Sequence, residues 1–232
     1  CRLRLACRQS GPQFRWAIQG RQPHNARASD SNPAMSDSFK MSFEPTRDKL
    51  TLRKQLQAER LALADRHQRS VHLQEVLRVW LVSRSERSIG AYWPIKGEFD
   101  ALPALFRWSE GEDVKGRHRQ IGLPVIDRTT KQLDFHVWYP GCPMEEDAFG
   151  IPKPKDTERF QPQLLLVPCV GFGPGGLRLG YGGGFYDRTL AKLRAVKPVI
   201  AIGVAYHAQI VDEVVRDVFD APLDYVMTEQ ET

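Results

Sequence analysis

The sequence lacks any hydrophobic run that approaches the roughly 20 residues a membrane-spanning helix needs, so we expect no membrane partner. Cysteine is scarce as well. The chain has four, and no pair shows the Cys-x-x-Cys spacing of a metal site or a redox centre. Cys169 follows an apolar run, so we expect a small buried residue rather than a nucleophile. This use of cysteine fits a reducing, cytoplasmic location.

Acidic residues are missing from the first part of the chain. Residues 1–29 contain six arginines and no Asp, Glu or Lys. Without those arginines the formal charge of +5 becomes −1, so the rest of the chain lacks the basic excess of a nucleic-acid-binding protein. We expect residues 1–42 to be a poorly ordered basic leader, upstream of a working start at Met35 or Met41. Residues 43–232 would then form one domain.

The standard nucleotide motifs are also absent. No Gly-Lys-Ser/Thr of a Walker loop occurs, and no acidic residue follows residues 171–176 at the spacing of about 20 that holds a ribose. The chain has instead a glycine-rich run at residues 171–187, between a strand-like and a helix-like segment. Glycine backbone can point several N–H groups at an oxyanion, and Arg178 adds a fixed cation. The run predicts a phosphate site, with a plain turn as the alternative.

Helix-like and strand-like segments alternate along the chain. This alternation favours the α/β class, as a single three-layer α/β/α domain with an open, largely parallel sheet. The predicted helices run from residue 46 to about Arg66, onward from a cap at Ser70, over residues 100–108 and over residues 187–194. The predicted strands cover residues 88–93, 121–126, 133–139, 164–167 and 199–205, and residues 140–162 are typical of a long surface loop.

Three predicted strands are followed by loops that carry polar or aromatic side chains. These loops come after Trp93, after Val170 and after Ala205. In open α/β sheets, ligands bind beyond the carboxyl ends of the strands. We therefore expect the three loops to share one site.

Several candidate residues also have an ordinary structural explanation. Spacing alone makes the basic face of the first helix (Lys49, Arg53, Gln57 and Arg60) a solvated surface more often than a site. Asp187 could simply begin a helix, Asp220 could occupy a turn, Glu98 could be a loop charge and Trp93 a core residue. A carboxylate beside phosphates is repulsive without a cation between them, so Asp187 next to a phosphate site predicts Mg²⁺. His207 is expected to be structural.

Several separated motifs together resemble the 5-formyltetrahydrofolate cyclo-ligase family, also called 5,10-methenyltetrahydrofolate synthetase. They span residues 49–229: Lys49-x-x-x-Arg53, YWPIKGEFD at 92–100, GIPKP at 150–154, RLGYGGGFYD at 178–187, AYHAQ at 205–209 and DAPLDYVMTE at 220–229. The resemblance implies an ATP- and folate-binding domain at residues 43–232. It also implies ATP-dependent conversion of 5-formyltetrahydrofolate to 5,10-methenyltetrahydrofolate, with release of ADP and phosphate, by phosphorylation of the formyl oxygen and ring closure.

The resemblance assigns roles to individual residues. It implies Arg178 and Tyr186 as catalytic residues and Asp187 and Asp220 as Mg²⁺ ligands. For ATP it implies Lys49, Arg53, Arg178, Leu179, Gly180, Tyr181, Gly182, Gly183, Gly184, Phe185 and Tyr186. For the folate it implies Trp93, Glu98, Tyr181, Gly182, Gly183, Gly184 and Phe185. The partners would be these small molecules, with no nucleic acid, and the enzyme would be a monomer.

The chain departs from the family pattern at a few positions. Phe185 stands where many members have Tyr, and Tyr181 and Gly183 stand where some members carry basic residues. Two other kinds of protein remain as alternatives. One is an isomerase or CoA-transferase-like enzyme that uses a similar open sheet without ATP, and the other is a nucleic-acid-binding accessory protein that uses the arginine-rich leader.

Overall fold

The structure is a computed structural model that describes residues 48–112, 115–214 and 216–230. The leader predicted at residues 1–42 lies outside the described residues, so that prediction stays untested. The helices are α1 (Lys49–Ala62), α2 (Arg66–Val82), α3 (Leu102–Ser109) and α4 (Phe185–Val196). The strands are β1 (Ser88–Gly90), β2 (Gln120–Asp127), β3 (Gln132–Val137), β4 (Met144–Glu146), β5 (Pro152–Pro154), β6 (Arg159–Phe160), β7 (Leu164–Pro168), β8 (Gly171–Gly173), β9 (Leu177–Leu179), β10 (Ile200–Val204) and β11 (Tyr225–Met227).

A seven-stranded sheet organises the molecule, in the order β11-β10-β7-β1-β2-β3-β6. The pairs from β11 to β2 are parallel, whereas β3 and β6 extend the sheet antiparallel. The central strand β7 has four fully buried residues in a row, as expected of a parallel strand covered on both faces. The largely parallel sheet predicted from the sequence is confirmed.

Helices cover both faces of the sheet. On one face α2 and α3 bury their apolar stripes, including Leu73, Leu77 and Leu105, against β1, β2 and β10. On the other face α4 contributes Leu190 and Leu193 to a second core with β7. The three-layer α/β/α arrangement is therefore confirmed. Helix α1 lies apart from both layers, where Leu56 packs on Val170 and Leu179.

The first helical region differs from the prediction. Helix α1 ends at Ala62 and α2 already begins at Arg66, because Leu63 has an extended backbone and packs on the main core. Ser70 is therefore not a helix cap. It lies inside α2, and its Oγ pairs with the Tyr206 hydroxyl at 2.6 Å.

Three other predictions of local structure are corrected. Strand β1 stops at Gly90, well before Trp93, because the chain leaves the sheet after the bond from Ala91 N to Gly122 O. Residues 140–162 are not a plain loop, since they contain β4 and β5, which pair with each other, and β6. The glycine-rich run is not one loop either. Its first part folds into a β8–β9 hairpin, and only residues 180–184, the glycine segment, remain as the loop before α4.

The described residues contain no helix that is both long and apolar enough to cross a bilayer.

Candidate active site

The three loops predicted to share a site do come together beyond the carboxyl ends of β1, β7 and β10. The Tyr181 hydroxyl of the glycine segment donates to Glu98 Oε1 of the β1–α3 loop at 2.8 Å. From the loop after β10, Gln209 Nε2 donates to the carbonyls of Cys169 and Val170, at 3.2 and 2.6 Å. Helix α1 joins this cleft, since Arg53 Nε donates to Gly180 O at 2.7 Å.

The glycine segment takes a backbone conformation that other residues avoid. Gly182 and Gly184 have φ of 94° and 63°, in the region where a Cβ atom clashes with its own backbone. Gly184 is the N-cap of α4, so the segment turns directly into a helix N-terminus. The free N–H groups of that terminus suit an anion.

Arg178 and Asp187 form the central ion pair of the cleft. The guanidinium of Arg178, on β9, donates to Asp187 Oδ1 in the first turn of α4 at 2.9 Å. The side chains are only 7% and 19% exposed. Arg178 Nε is buried and has no hydrogen-bond partner among the described residues. A buried donor without a partner costs about 1–3 kcal/mol, so this N–H group is suited to an anionic ligand.

Asp187 and Asp220 lie on neighbouring parts of the cleft. Asp187 Oδ1 also accepts from Ala221 N at 3.2 Å, and Asp220 Oδ2 lies 3.5 Å from Lys49 Nζ. Each carboxylate thus has a cationic partner from the protein, which weakens the argument that Asp187 by itself requires a metal. No group of three or more His, Cys, Asp or Glu capable of holding a metal occurs in the described part of the chain.

Glu98 is no solvated loop charge. Besides the bond from Tyr181, its Oε2 accepts from Ile95 N at 2.9 Å. Burial raises the pKa of Glu98, and the bonds from Ile95 and Tyr181 and the charges of Arg60 and Lys96 oppose that rise. Lys96 also lies over the Tyr181 ring, 5.1 Å from its centroid.

Arg60 is the residue whose environment the sequence did not reveal. It is 1% exposed, so the solvated-surface interpretation of the basic helix face is wrong for this residue. Its guanidinium donates to Lys96 O at 3.0 Å, to Cys169 O at 3.2 Å and to the Tyr181 hydroxyl at 2.8 Å. The only sequence signal was its helical spacing of seven residues from Arg53.

The remaining candidate residues have simpler surroundings. The Tyr186 ring lies 5.6 Å from the Arg178 guanidinium, and burial raises the pKa of its hydroxyl. The Phe185 ring makes an edge contact with Phe149, with the centroids 6.2 Å apart, so the 140–162 region reaches the first residue of α4. Leu179 is buried in the small core under α1, and Trp93 packs half-buried against the main core.

Two further residues behave as the sequence indicated. The backbone N–H of His207 donates to Glu229 Oε2 at 2.8 Å, which anchors the loop after β10. Cys169 is buried, and burial raises the pKa of its thiol to about 12, so it is a poor nucleophile.

Gly183 O accepts a hydrogen bond from Arg188, a neighbour in α4 that the sequence did not single out.

Comparison with known proteins identifies the family. The 5-formyltetrahydrofolate cyclo-ligase family matches residues 45–229. A 5-formyltetrahydrofolate cyclo-ligase from Haemophilus influenzae is 33% identical over 146 residues, which cover 60% of this chain and 74% of that protein. One from Mycoplasma pneumoniae is 27% identical over 79% of this chain and 99% of its own length.

Solved structures agree with this match. A 5,10-methenyltetrahydrofolate synthetase from Mycoplasma pneumoniae superposes with a TM-score of 0.62 at 26% identity, covering 79% of this chain and 99% of that one. The NMR structure of the Aquifex aeolicus synthetase gives a TM-score of 0.63 at 29% identity, over 78% and 90% of the two chains. The match favours the folate enzyme over the isomerase and CoA-transferase-like alternatives. The chain belongs to the 5-formyltetrahydrofolate cyclo-ligase family, the ligases that use ATP to convert 5-formyltetrahydrofolate to 5,10-methenyltetrahydrofolate.

Proposed function

We propose that the cyclo-ligase reaction takes place in the cleft between α1, the glycine segment and the β1–α3 loop. The observation that carries this proposal is the buried Arg178, which pairs with Asp187 and keeps an unused Nε–H donor at the start of α4. A buried cation with a spare donor beside a helix N-terminus suits the terminal phosphate of ATP.

The reaction needs a better leaving group than a formamide oxygen. The formyl oxygen attacks the γ-phosphorus of ATP, the bond from that phosphorus to the β-bridging oxygen breaks, and ADP leaves. N10 of the folate then attacks the activated formyl carbon and gives up its proton. The carbon–oxygen bond breaks, inorganic phosphate leaves and the methenyl cation remains. Such phosphoryl transfer asks the protein for positioning and for neutralisation of charge, with no covalent enzyme intermediate.

ATP would be held from both sides of the cleft. Arg178 binds phosphate oxygens as charge moves between them, with Tyr186 packed against its guanidinium. From α1, Arg53 is anchored on Gly180 O of the glycine segment, and Lys49 pairs with Asp220. The backbone of residues 180–186 supplies the N–H groups.

Asp187 and Asp220 would hold Mg²⁺. The residues present fit such an ion, because within the described part of the chain Asp187 accepts hydrogen bonds at Oδ1 and Asp220 accepts them at Oδ2. The other oxygen of each carboxylate is therefore available, and Mg²⁺ typically takes one or two carboxylates together with phosphates and water. When bound, the ion would neutralise the phosphates.

The folate would bind at the Glu98 end of the cleft. Among the residues that the structure describes, each Glu98 oxygen accepts one hydrogen bond, so the carboxylate keeps acceptor sites for the amino and ring N–H groups of a pterin. Tyr181 and Phe185 would line this end of the cleft beside residues 182–184. Trp93 would contact the folate only at the edge of the binding site, because its side chain packs against the main core.

A spectroscopic assay tests this proposal. Purified protein is incubated with 5-formyltetrahydrofolate and Mg²⁺, with and without ATP, and the absorbance of the methenyl product is followed. We expect product only with ATP, and a fall in kcat of about a hundredfold or more in Arg178→Met. Lys54→Met, which removes an exposed cation from α1, is the matched control. Full activity of Arg178→Met would refute the assigned phosphate site.

The location and assembly of the enzyme remain predictions. We propose a cytoplasmic monomer that acts on small molecules without nucleic acid. Light scattering coupled to size-exclusion chromatography measures the mass in solution, and a mass of twice 26.4 kDa would contradict the monomer.

A further inference from the structure

Arg60 connects three separate parts of the cleft although no step of the proposed chemistry uses it. It lies in the last turn of α1, and its donors reach the β1–α3 loop at Lys96 O, the end of β7 at Cys169 O and the glycine segment at Tyr181. A guanidinium that is 99% buried is costly unless its charge and its donors are matched. The buried charge of Arg60 therefore calls for a compensating negative charge nearby.

The direction of the hydrogen bonds identifies that charge. Arginine can only donate, so the Tyr181 oxygen must accept from Arg60. The single hydroxyl proton of Tyr181 is then committed to Glu98 Oε1, at 2.8 Å. The phenol thus links the guanidinium to the carboxylate, and Glu98 is fixed as an acceptor.

No other cation near Glu98 among the described residues is as buried as Arg60. Lys96 is exposed to solvent, so water screens its charge. Six titratable or charged groups among the described residues interact electrostatically with Glu98. They are Arg60 from α1, Tyr181 from the glycine segment, Tyr186 from α4, Cys169 after β7, and Lys96 and Tyr92 from the segment that carries Glu98. Of these, Arg60 is the fully buried cation.

We infer that Arg60 is a positioning residue of the folate site: through Tyr181 it holds Glu98 ionised and oriented to accept the N–H donors of the pterin. This inference rests on the proposed role of Glu98. Arg60 touches neither substrate in this account, and its effect reaches the folate only through Tyr181 and Glu98.

Steady-state kinetics from about pH 5 to about pH 9 test the inference, with folate varied at saturating ATP and ATP varied at saturating folate. In Arg60→Met we expect the KM for folate to rise roughly tenfold, with the KM for ATP changed less than about twofold. The pKa of Glu98 rises further when the buried cation is removed, so the acid limb of kcat/KM for folate moves to higher pH. Lys54→Met, from the same helix, should match the wild type.

Two further variants separate positioning from packing. Arg60→Lys keeps the charge but loses the planar fork, so we expect it to restore the acid limb while leaving the KM for folate raised. Tyr181→Phe removes the link, and adding Arg60→Met to it should raise the KM for folate by less than the product of the two single effects. Should Arg60→Met fail to fold, as judged by circular dichroism, Arg60→Lys and Tyr181→Phe carry the test.

The outcomes distinguish the inference from the function on which it rests. If Glu98→Gln leaves the KM for folate unchanged, the proposed role of Glu98 is wrong, and the inference falls with it. If Glu98→Gln raises that KM but Arg60→Met raises both KM values in parallel, or leaves the acid limb in place, only the inference is wrong. Arg60 would then be a structural residue.

Discussion

At the scale of single residues, some charged pairs of the cleft could be predicted from the sequence and others could not. Arg178 and Asp187 are nine positions apart in one motif, so their proximity follows from the sequence. Arg60 and Glu98 lie 38 positions apart on different elements, and the Tyr181 hydroxyl links them. Helical periodicity predicted that Arg60 lies on the same face of α1 as Arg53, but it did not predict that the β1–α3 loop and the glycine segment bury that side chain.

The predicted role of Asp187 can be tested by removing its charge alone. In Asp187→Asn we expect the KM for MgATP to rise at least about tenfold, because a metal ligand and the partner of Arg178 are weakened together. The folate KM should change little. A titration of Mg²⁺ against initial rate measures the effect, with the exposed Glu75→Gln as control.

Magnesium also separates the two roles of Asp187. If the carboxylate binds the metal, a higher Mg²⁺ concentration restores part of the rate in Asp187→Asn. If the carboxylate only holds Arg178, added Mg²⁺ has no effect, and the proposed metal site is contradicted.

At the scale of elements, the glycine segment and α4 act as one unit. Gly184 begins the helix with a positive φ of 63°, and the Thr189 hydroxyl in α4 accepts from Leu133 N of β3 at 2.8 Å. The helix is therefore tied to the sheet just beyond the turn that presents its N-terminus.

Substitution of Gly184 tests whether this turn needs its left-handed backbone. We expect Gly184→Ala to lower the free energy of unfolding by about 1 kcal/mol or more, because a Cβ is strained at positive φ. Gly184→Asn should cost less, since asparagine tolerates that region better. Urea denaturation followed by circular dichroism compares the two variants, and equal losses would argue against the conformational explanation.

The long, strongly patterned elements were predictable and the short ones were not. Apolar residues at helical spacing predicted α2, and three of them, Leu73, Leu77 and Leu81, are buried on one side of the helix. The short strands β4, β5 and β6 have no apolar alternation to reveal them, and each depends on its partner, since β4 and β5 pair with each other and β6 pairs with β3. The β8–β9 hairpin was missed because its glycines also fit a loop.

At the scale of the whole molecule, the sheet topology brings distant motifs into one cleft. Strands β1, β7 and β10 are neighbours in the sheet and run parallel, so the loops at their carboxyl ends must meet. This part of the site could be predicted from strand order alone. The position of α1 could not, because it depends on the packing of Leu56 against Val170 and Leu179.

The family match begins at residue 45, downstream of Met41 and of the arginine-rich residues 1–29. We therefore predict that a chain starting at Met41 has the same kcat, KM values and melting temperature as the full 232-residue chain. Parallel purification and assay of the two chains checks this. A lower kcat in the shorter chain would assign a role to residues 1–40.

A crystal structure with Mg²⁺ and a non-hydrolysable ATP analogue is the most direct test of the phosphate site. We predict a γ-phosphate oxygen within about 2.7–3.2 Å of Arg178 Nε, and the metal within coordination distance of Asp187. A triphosphate bound elsewhere, with Arg178 Nε still unpaired, would contradict the account.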